Sequence, residues 1–260
     1  MNFKDLKWLT IWIFIATLMY HFFIAHTEEP RSYLGLLMII PLLIFLIQHI
    51  VTYKKIDIKQ FSFKKPKNAP LLLSIVLPIT LGLFVHTYFF LTNQGTFLFE
   101  EPNELLILLA LGLTITTISA LFEEIIWRGY YHNRLRKVYS FHKAAFIIAL
   151  IWSTWHLPIA LLYKEYTSLI IGIISYLVIL FFTSYLLSYL REQSESIIPA
   201  TFFHGLMNIF YFVDGIQMHL SLHMLELTKS IILIIFFFVF YITIQYSKPD
   251  SHGNNVPQTK

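Results

Sequence analysis

The chain has 260 residues, of which 57% are hydrophobic and only 13% charged, with a formal net charge of +4 and no cysteine. A water-soluble fold of this length has no core large enough to hide so much apolar surface, so the solvent for most of the chain is lipid. Without cysteine there is no disulfide, thiolate nucleophile or Cys-ligated metal, and the basic residues sit in short loops between apolar runs, which argues against nucleic-acid binding.

Charged residues mark off eight apolar intervals: 8–27, 32–53, 68–99, 105–122, 144–163, 166–190, 196–213 and 230–247. A helix needs about 20 apolar residues to cross the hydrocarbon core, and each interval approaches or exceeds that length. The runs are continuous rather than alternating, so they predict helices and not a barrel. The expected fold is all-α, a polytopic transmembrane helical bundle of about eight spans.

In chain order, the first interval has a basic start, Lys4 and Lys7, and no small-x-small cleavage site follows it. It is read as a retained helix rather than a signal peptide. The third interval spends its end on a loop around 92–104. The seventh is the weakest span, since it holds Pro199, His204, Gly205 and Asn208. The tail is polar, contains Pro249, Gly253 and Pro257, and reads as disordered. The expected organisation is N-terminal transmembrane helices over 1–103, a catalytic core over 104–214, a C-terminal transmembrane helix over 215–246 and a tail over 247–260.

Eight spans put both termini on one side. Sixteen of the 19 Lys and Arg residues then fall on that side, and Arg31, Lys164 and Lys229 on the other. The positive-inside bias predicts a cell-membrane protein with cytoplasmic termini. The 54–67 loop alone holds six lysines. It is first of all a topology signal, and near anionic lipid each charge is worth about 1 kcal/mol.

Three places put polar groups where a lipid-embedded helix is expected to be apolar, and such residues are expensive enough to be functional candidates. The first is Glu123-Glu124-x-x-x-Arg128. Glu124 and Arg128 are four apart and can pair on one helix face, which leaves Glu123 on another face to meet a different helix. A helix-boundary role for both acids is the bland alternative, although acids at a C-terminal end oppose the helix dipole. The second is Trp152-x-x-x-His156, with Pro158 beyond it to kink the helix; a buried, hydrogen-bonded structural histidine is its alternative. The third is His204-Gly205-x-x-Asn208, whose polar pair shares one face and whose glycine allows close approach; interhelical packing is its alternative.

By a rise of 1.5 Å per residue, Glu123 is expected near the Lys-rich interface, His204 about 10 Å in and His156 deeper, around one cavity open to the cytoplasm. A carboxylate and an imidazole can hold and deprotonate a water. An imidazole and an asparagine amide can donate to a developing oxyanion. These are parts for amide hydrolysis. Two histidines and a glutamate can equally ligate zinc with one position open to water, assembled from three helices because no His-Glu-x-x-His helix is present. His219 and His223 fall in a loop and read as solvated.

Taken together, Glu123, Glu124 and Arg128, then Trp152 and His156, then His204 and Asn208 resemble the three motifs of the CPBP family. That family holds type II CAAX prenyl proteases, bacteriocin-processing or self-immunity proteins and lysostaphin-resistance-like proteins. The resemblance covers about 104–214 and keeps the order and spacing of the motifs, with Trp152 where the aromatic is usually Phe. It implies an intramembrane endopeptidase with Glu123 as general base, His156 holding the water, His204 and Asn208 at the oxyanion, and Glu124 with Arg128 fixing the motif helix. The implied partners are the lipid bilayer and a peptide or membrane-protein substrate, with no nucleic acid. The implied cofactor is open: none is needed in the glutamate mechanism, and zinc serves in the competing one. A non-catalytic bacteriocin immunity or regulatory membrane protein is the alternative function.

Overall fold

The computed structural model describes residues 3–54, 57–215 and 217–246. Among these residues the elements are helical, and the sole pairing of extended backbone is an isolated bridge between Gly95 and Met218. The all-α bundle is borne out. The tail expected to be disordered, 247–260, lies outside the described residues.

The first helix, α1 (Phe3–Ile24), leads through a 3-10 segment (Pro30–Ile39) into α2 (Ile40–Tyr53). A loop with a short 3-10 turn (Ile58–Phe61) connects to α3 (Asn68–Leu91). Next come α4 (Pro102–Leu113), α5 (Ile115–Glu124), a π-helical stretch (Ile125–Tyr131) and α6 (His132–Leu135), which run on as one long rod. Then follow α7 (Phe141–Trp155), α8 (Leu157–Leu162), α9 (Leu169–Ser194), α10 (Ile198–Phe210) and α11 (Leu222–Tyr246). Among the described residues, seven helical stretches are long and apolar enough to cross a membrane. Their outward faces carry large apolar side chains such as Phe22, Phe84, Leu91 and Ile170, which suits lipid and not water.

The seventh expected span departs from a simple crossing. Helix α10 has 13 residues, about 20 Å at 1.5 Å per residue, which is short of the hydrocarbon core. The chain continues beyond it as irregular backbone. Such backbone is tolerated at membrane depth where protein surrounds and satisfies it. Here Lys229 of α11 does so, donating to the Val213 carbonyl at 3.1 Å and to Asp214 at 2.6 Å, while the Tyr211 hydroxyl donates to the Lys229 carbonyl. Lys229 is expected on the outer side, just before the eighth span; its side chain is buried within α11 and pairs with the partly exposed Asp214, which puts the lysine inside the bundle.

Two glycines let α10 lie deep in the bundle. A Cβ on Gly205 would stand 2.6 Å from the Thr117 backbone of α5, and one on Gly82 of α3 would stand 2.6 Å from Phe210 Cβ. Thr116 Oγ1 ties the first contact by donating to the Gly205 carbonyl at 2.8 Å. Helix α10 is thereby clamped between α3 and α5, which fixes the height of His204 against the motif helix.

Candidate active site

The motif helix does not end where its charges begin. It runs through Glu123 and Glu124 and onward to Leu135, with the π-helical stretch starting one residue after Glu124. A π-turn widens the helix locally and is frequent at functional sites. Ile126, Trp127, Arg128, Gly129, Tyr130 and Tyr131 are all buried here. Charges survive in this setting because they compensate one another. Arg128 Nη1 donates to Glu124 Oε1 at 3.0 Å, the expected pair, and Nη2 donates to Ser184 Oγ of α9 at 2.7 Å and to the Ser184 carbonyl at 3.2 Å. The guanidinium also stands 5.0 Å over the Trp152 ring.

Glu123 does reach another helix. The Trp152 indole of α7 donates to Glu123 Oε2 at 2.7 Å. Trp152 lies eleven residues from the first residue of α7, so Glu123 sits about 16 Å along that helix from its Lys-rich end. This is deeper than expected, and the reason is the extra length of the motif helix beyond Glu124.

His156 occupies the break between α7 and α8. Pro158 has no N–H to continue the α-helical ladder, so the chain tightens: the His156 N–H bonds the Ser153 carbonyl, and the Ile159 N–H bonds the His156 carbonyl. His156 Nδ1 lies 2.8 Å from the Trp152 carbonyl. A carbonyl only accepts, so Nδ1 carries the proton and a neutral ring keeps its Nε2 lone pair. His204 Nδ1 lies 2.8 Å from Glu124 Oε1, the same oxygen that takes Arg128. The Trp152 ring centroid is 4.6 Å from His156 and 5.4 Å from His204, both edge-on. One indole therefore touches the acid, the arginine and both imidazoles.

Asn208 lies one turn beyond His204 on α10, half-buried, and makes no side-chain hydrogen bond to protein among the described residues. Glu124 Oε2 and Arg128 Nε are buried and likewise lack a protein partner among the described residues. The six expected site residues thus come from three helical units, and five of them form one bonded or ring-contact cluster. Toward the Lys-rich end, the motif helix continues into buried structure among the described residues. That path is packed with Tyr130, Tyr131 and His132 and covered by the 58–64 loop.

Residues 104–210 match the family described as type II CAAX prenyl endopeptidase Rce1-like. The matched stretch covers less than half of the chain. It contains all six expected site residues, and the resemblance read from the three motifs is borne out. A second similarity is to the CAAX prenyl protease 2 of Methanococcus maripaludis, 31% identical over 147 residues, covering 54% of this chain and 51% of that protein. The chain thus spans about half the length of the curated relative it matches.

The zinc alternative requires three or more His, Asp or Glu donors on one point. Among the described residues no such group is present, so His156, His204 and Glu123 do not fit a zinc site as they stand. Two features of the cluster escaped sequence reasoning. Ser184 carries no signal, being one serine in an apolar helix. The Trp152 N–H is legible only as a substitution of Phe by Trp, which adds a donor to an aromatic position.

Proposed function

We propose that this protein is an intramembrane endopeptidase that hydrolyses a peptide bond of a membrane-associated protein or peptide with glutamate-activated water. The observation that carries the reading is the arrangement about Trp152: its N–H occupies Glu123 Oε2, and both imidazoles lie against its ring. The other oxygen of Glu123 is then the base. It takes a proton from water, the water oxygen bonds the scissile carbonyl carbon, and His156 Nε2 accepts from the same water to hold it in line. The carbonyl oxygen becomes an oxyanion. Asn208 donates to it through its amide, and His204 donates through Nε2–H when its ring carries both protons, Nδ1–H being held by Glu124. The tetrahedral intermediate collapses as the C–N bond breaks, and Glu123 returns its proton to the leaving amine. Arg128, Glu124 and Ser184 hold the motif helix in place.

Substrate, place and orientation complete the proposal. The relative's name points to a prenylated C-terminal CAAX segment as one substrate class, and a membrane-bound peptide precursor is the other. The protein resides in the cell membrane with both termini cytoplasmic. The test is cleavage of a membrane-peptide library by purified native protein and by Glu123→Gln: native protein cuts a defined set and the variant cuts none of it. Equal cleavage by both contradicts the mechanism.

A further inference from the structure

The loop between α2 and α3 has two different faces. Its buried face is latched to the elements that carry the candidate site. Asn133 Nδ2 donates to the Gln60 carbonyl at 2.6 Å and to Ser62 Oγ at 2.8 Å. Arg191 of α9 donates to Ser62 Oγ at 2.7 Å, to Asn133 Oδ1 at 2.8 Å and to the Arg128 carbonyl at 3.1 Å. The Ile197 N–H, just before α10, bonds the Ser62 carbonyl at 3.2 Å, and Ser196 Oγ donates to the Lys64 carbonyl at 2.6 Å. Ser62 adopts a left-handed φ of 58° at this latch, a conformation that costs a non-glycine residue energy and persists where surroundings over-determine it. Gly129 of the π-helical stretch lets the Phe61 backbone lie against it, where a Cβ would stand 3.0 Å from the Phe61 carbonyl.

The outward face is the reverse in character. Ile58 is 67% exposed and Phe63 46% exposed, next to the exposed Lys59, Lys64 and Lys65. The carboxylates on this face are few, and Asp57 is the one acid within 54–67. Glu195 pairs with Lys67 at 3.4 Å and Lys64 at 3.7 Å, Asp57 caps the Lys59 backbone N–H, and Glu192 is taken by Arg136. Among the described residues Lys54, Lys59 and Lys65 have no carboxylate partner. Two apolar side chains exposed beside uncompensated lysines, at the end of a transmembrane bundle, match the interface of an anionic leaflet.

We propose that the 57–67 loop, together with Lys54 at the end of α2, is an interfacial strap that binds anionic phospholipid headgroups through Lys54, Lys59 and Lys65 and inserts Ile58 and Phe63 beneath them. Each such lysine multiplies local binding roughly fivefold near an anionic surface. Because its other face holds Asn133, Arg191 and the start of α10, leaflet charge acts on the elements flanking Glu124 and His204. That coupling rests on the function proposed above, whereas the lipid binding does not.

The absence of native cysteine permits a direct test on the full chain. Phe63→Cys carrying an environment-sensitive fluorophore is reconstituted in vesicles of phosphatidylcholine alone, or of phosphatidylcholine and phosphatidylglycerol in equal parts. Both leaflets share one composition, so the orientation of the protein does not affect the reading. The emission moves to the blue in the anionic vesicles, the movement fades with added salt, and Lys54, Lys59 and Lys65 all changed to Gln abolish it. The same three changed to Arg retain it. Identical emission in both vesicles, or a movement that the Gln variant keeps, overturns the proposal, and neither result depends on proteolysis.

Discussion

The indole N–H of Trp152 donates to Glu123 Oε2 at 2.7 Å, joining α7 to the motif helix where both side chains are buried. A hydrogen bond to a charged group is worth about 1.5–3 kcal/mol, and its loss inside a buried site is not made good by water. Trp152→Phe keeps the ring between the two imidazoles and removes only the donor. We expect turnover to fall by about tenfold or more with little change in KM or abundance, because the base loses its orientation while substrate contacts remain. Steady-state kinetics of the purified variant decide this; unchanged kcat shows that the bond does not orient the base.

Glu124 Oε1 serves Arg128 and His204 together, at 3.0 and 2.8 Å. Removing one member of a buried ion pair leaves an uncompensated charge, at a cost of about 3–5 kcal/mol. Arg128→Ala and Glu124→Ala should therefore lower thermal stability in detergent as well as activity. His204→Ala should lower stability less, since Arg128 still neutralises Glu124. Arg128→Ala with native thermal stability would assign the arginine a direct role in the reaction instead.

Gly205 separates packing from chemistry. A Cβ there would lie 2.6 Å from the Thr117 backbone, whereas one on Gly35 would meet nothing within 4 Å. Overpacking costs about 1–3 kcal/mol, so Gly205→Ala should depress both the melting midpoint and turnover, and Gly35→Ala should leave both unchanged. A fully stable, fully active Gly205→Ala protein would mean that the close approach of α10 to α5 is not required.

The proposed topology is open to cysteine labelling on a chain that has none of its own. Cysteines at the exposed positions Lys65 and Ser140 should react only from the cytoplasm, and one at the exposed Asn93 only from outside. A cysteine at Ser62 should stay unreactive until the protein unfolds, because Ser62 is 5% exposed and latched by Asn133 and Arg191. External labelling at Lys65 reverses the orientation.

Much of this was legible in the sequence because lipid punishes lone polar groups, so Glu123, His156, His204 and Asn208 stand out from their apolar spans. The Glu124–Arg128 pair follows from spacing alone. What charge counting misread has one physical origin. It treats a charged residue as the end of a span, but a charge that meets its partner inside the bundle ends nothing. Glu124 with Arg128 is fully buried, and Lys229 is buried while its partner Asp214 stays partly exposed, where an interface was expected for both. The π-helical stretch has no one-dimensional signature, and neither has the Ser184 contact, which is set by what α9 offers across the gap.

The most direct measurement is single-turnover cleavage by purified Glu123→Gln in vesicles, on a peptide that the native protein cuts. Glutamine preserves size and can still accept from Trp152, but it cannot take a proton from water near neutral pH. The variant is expected to insert, fold and bind the peptide with unchanged affinity, and to cleave slower by at least about 10²-fold. Native-rate cleavage by Glu123→Gln would contradict the assignment of Glu123 as the base and with it the proposed mechanism.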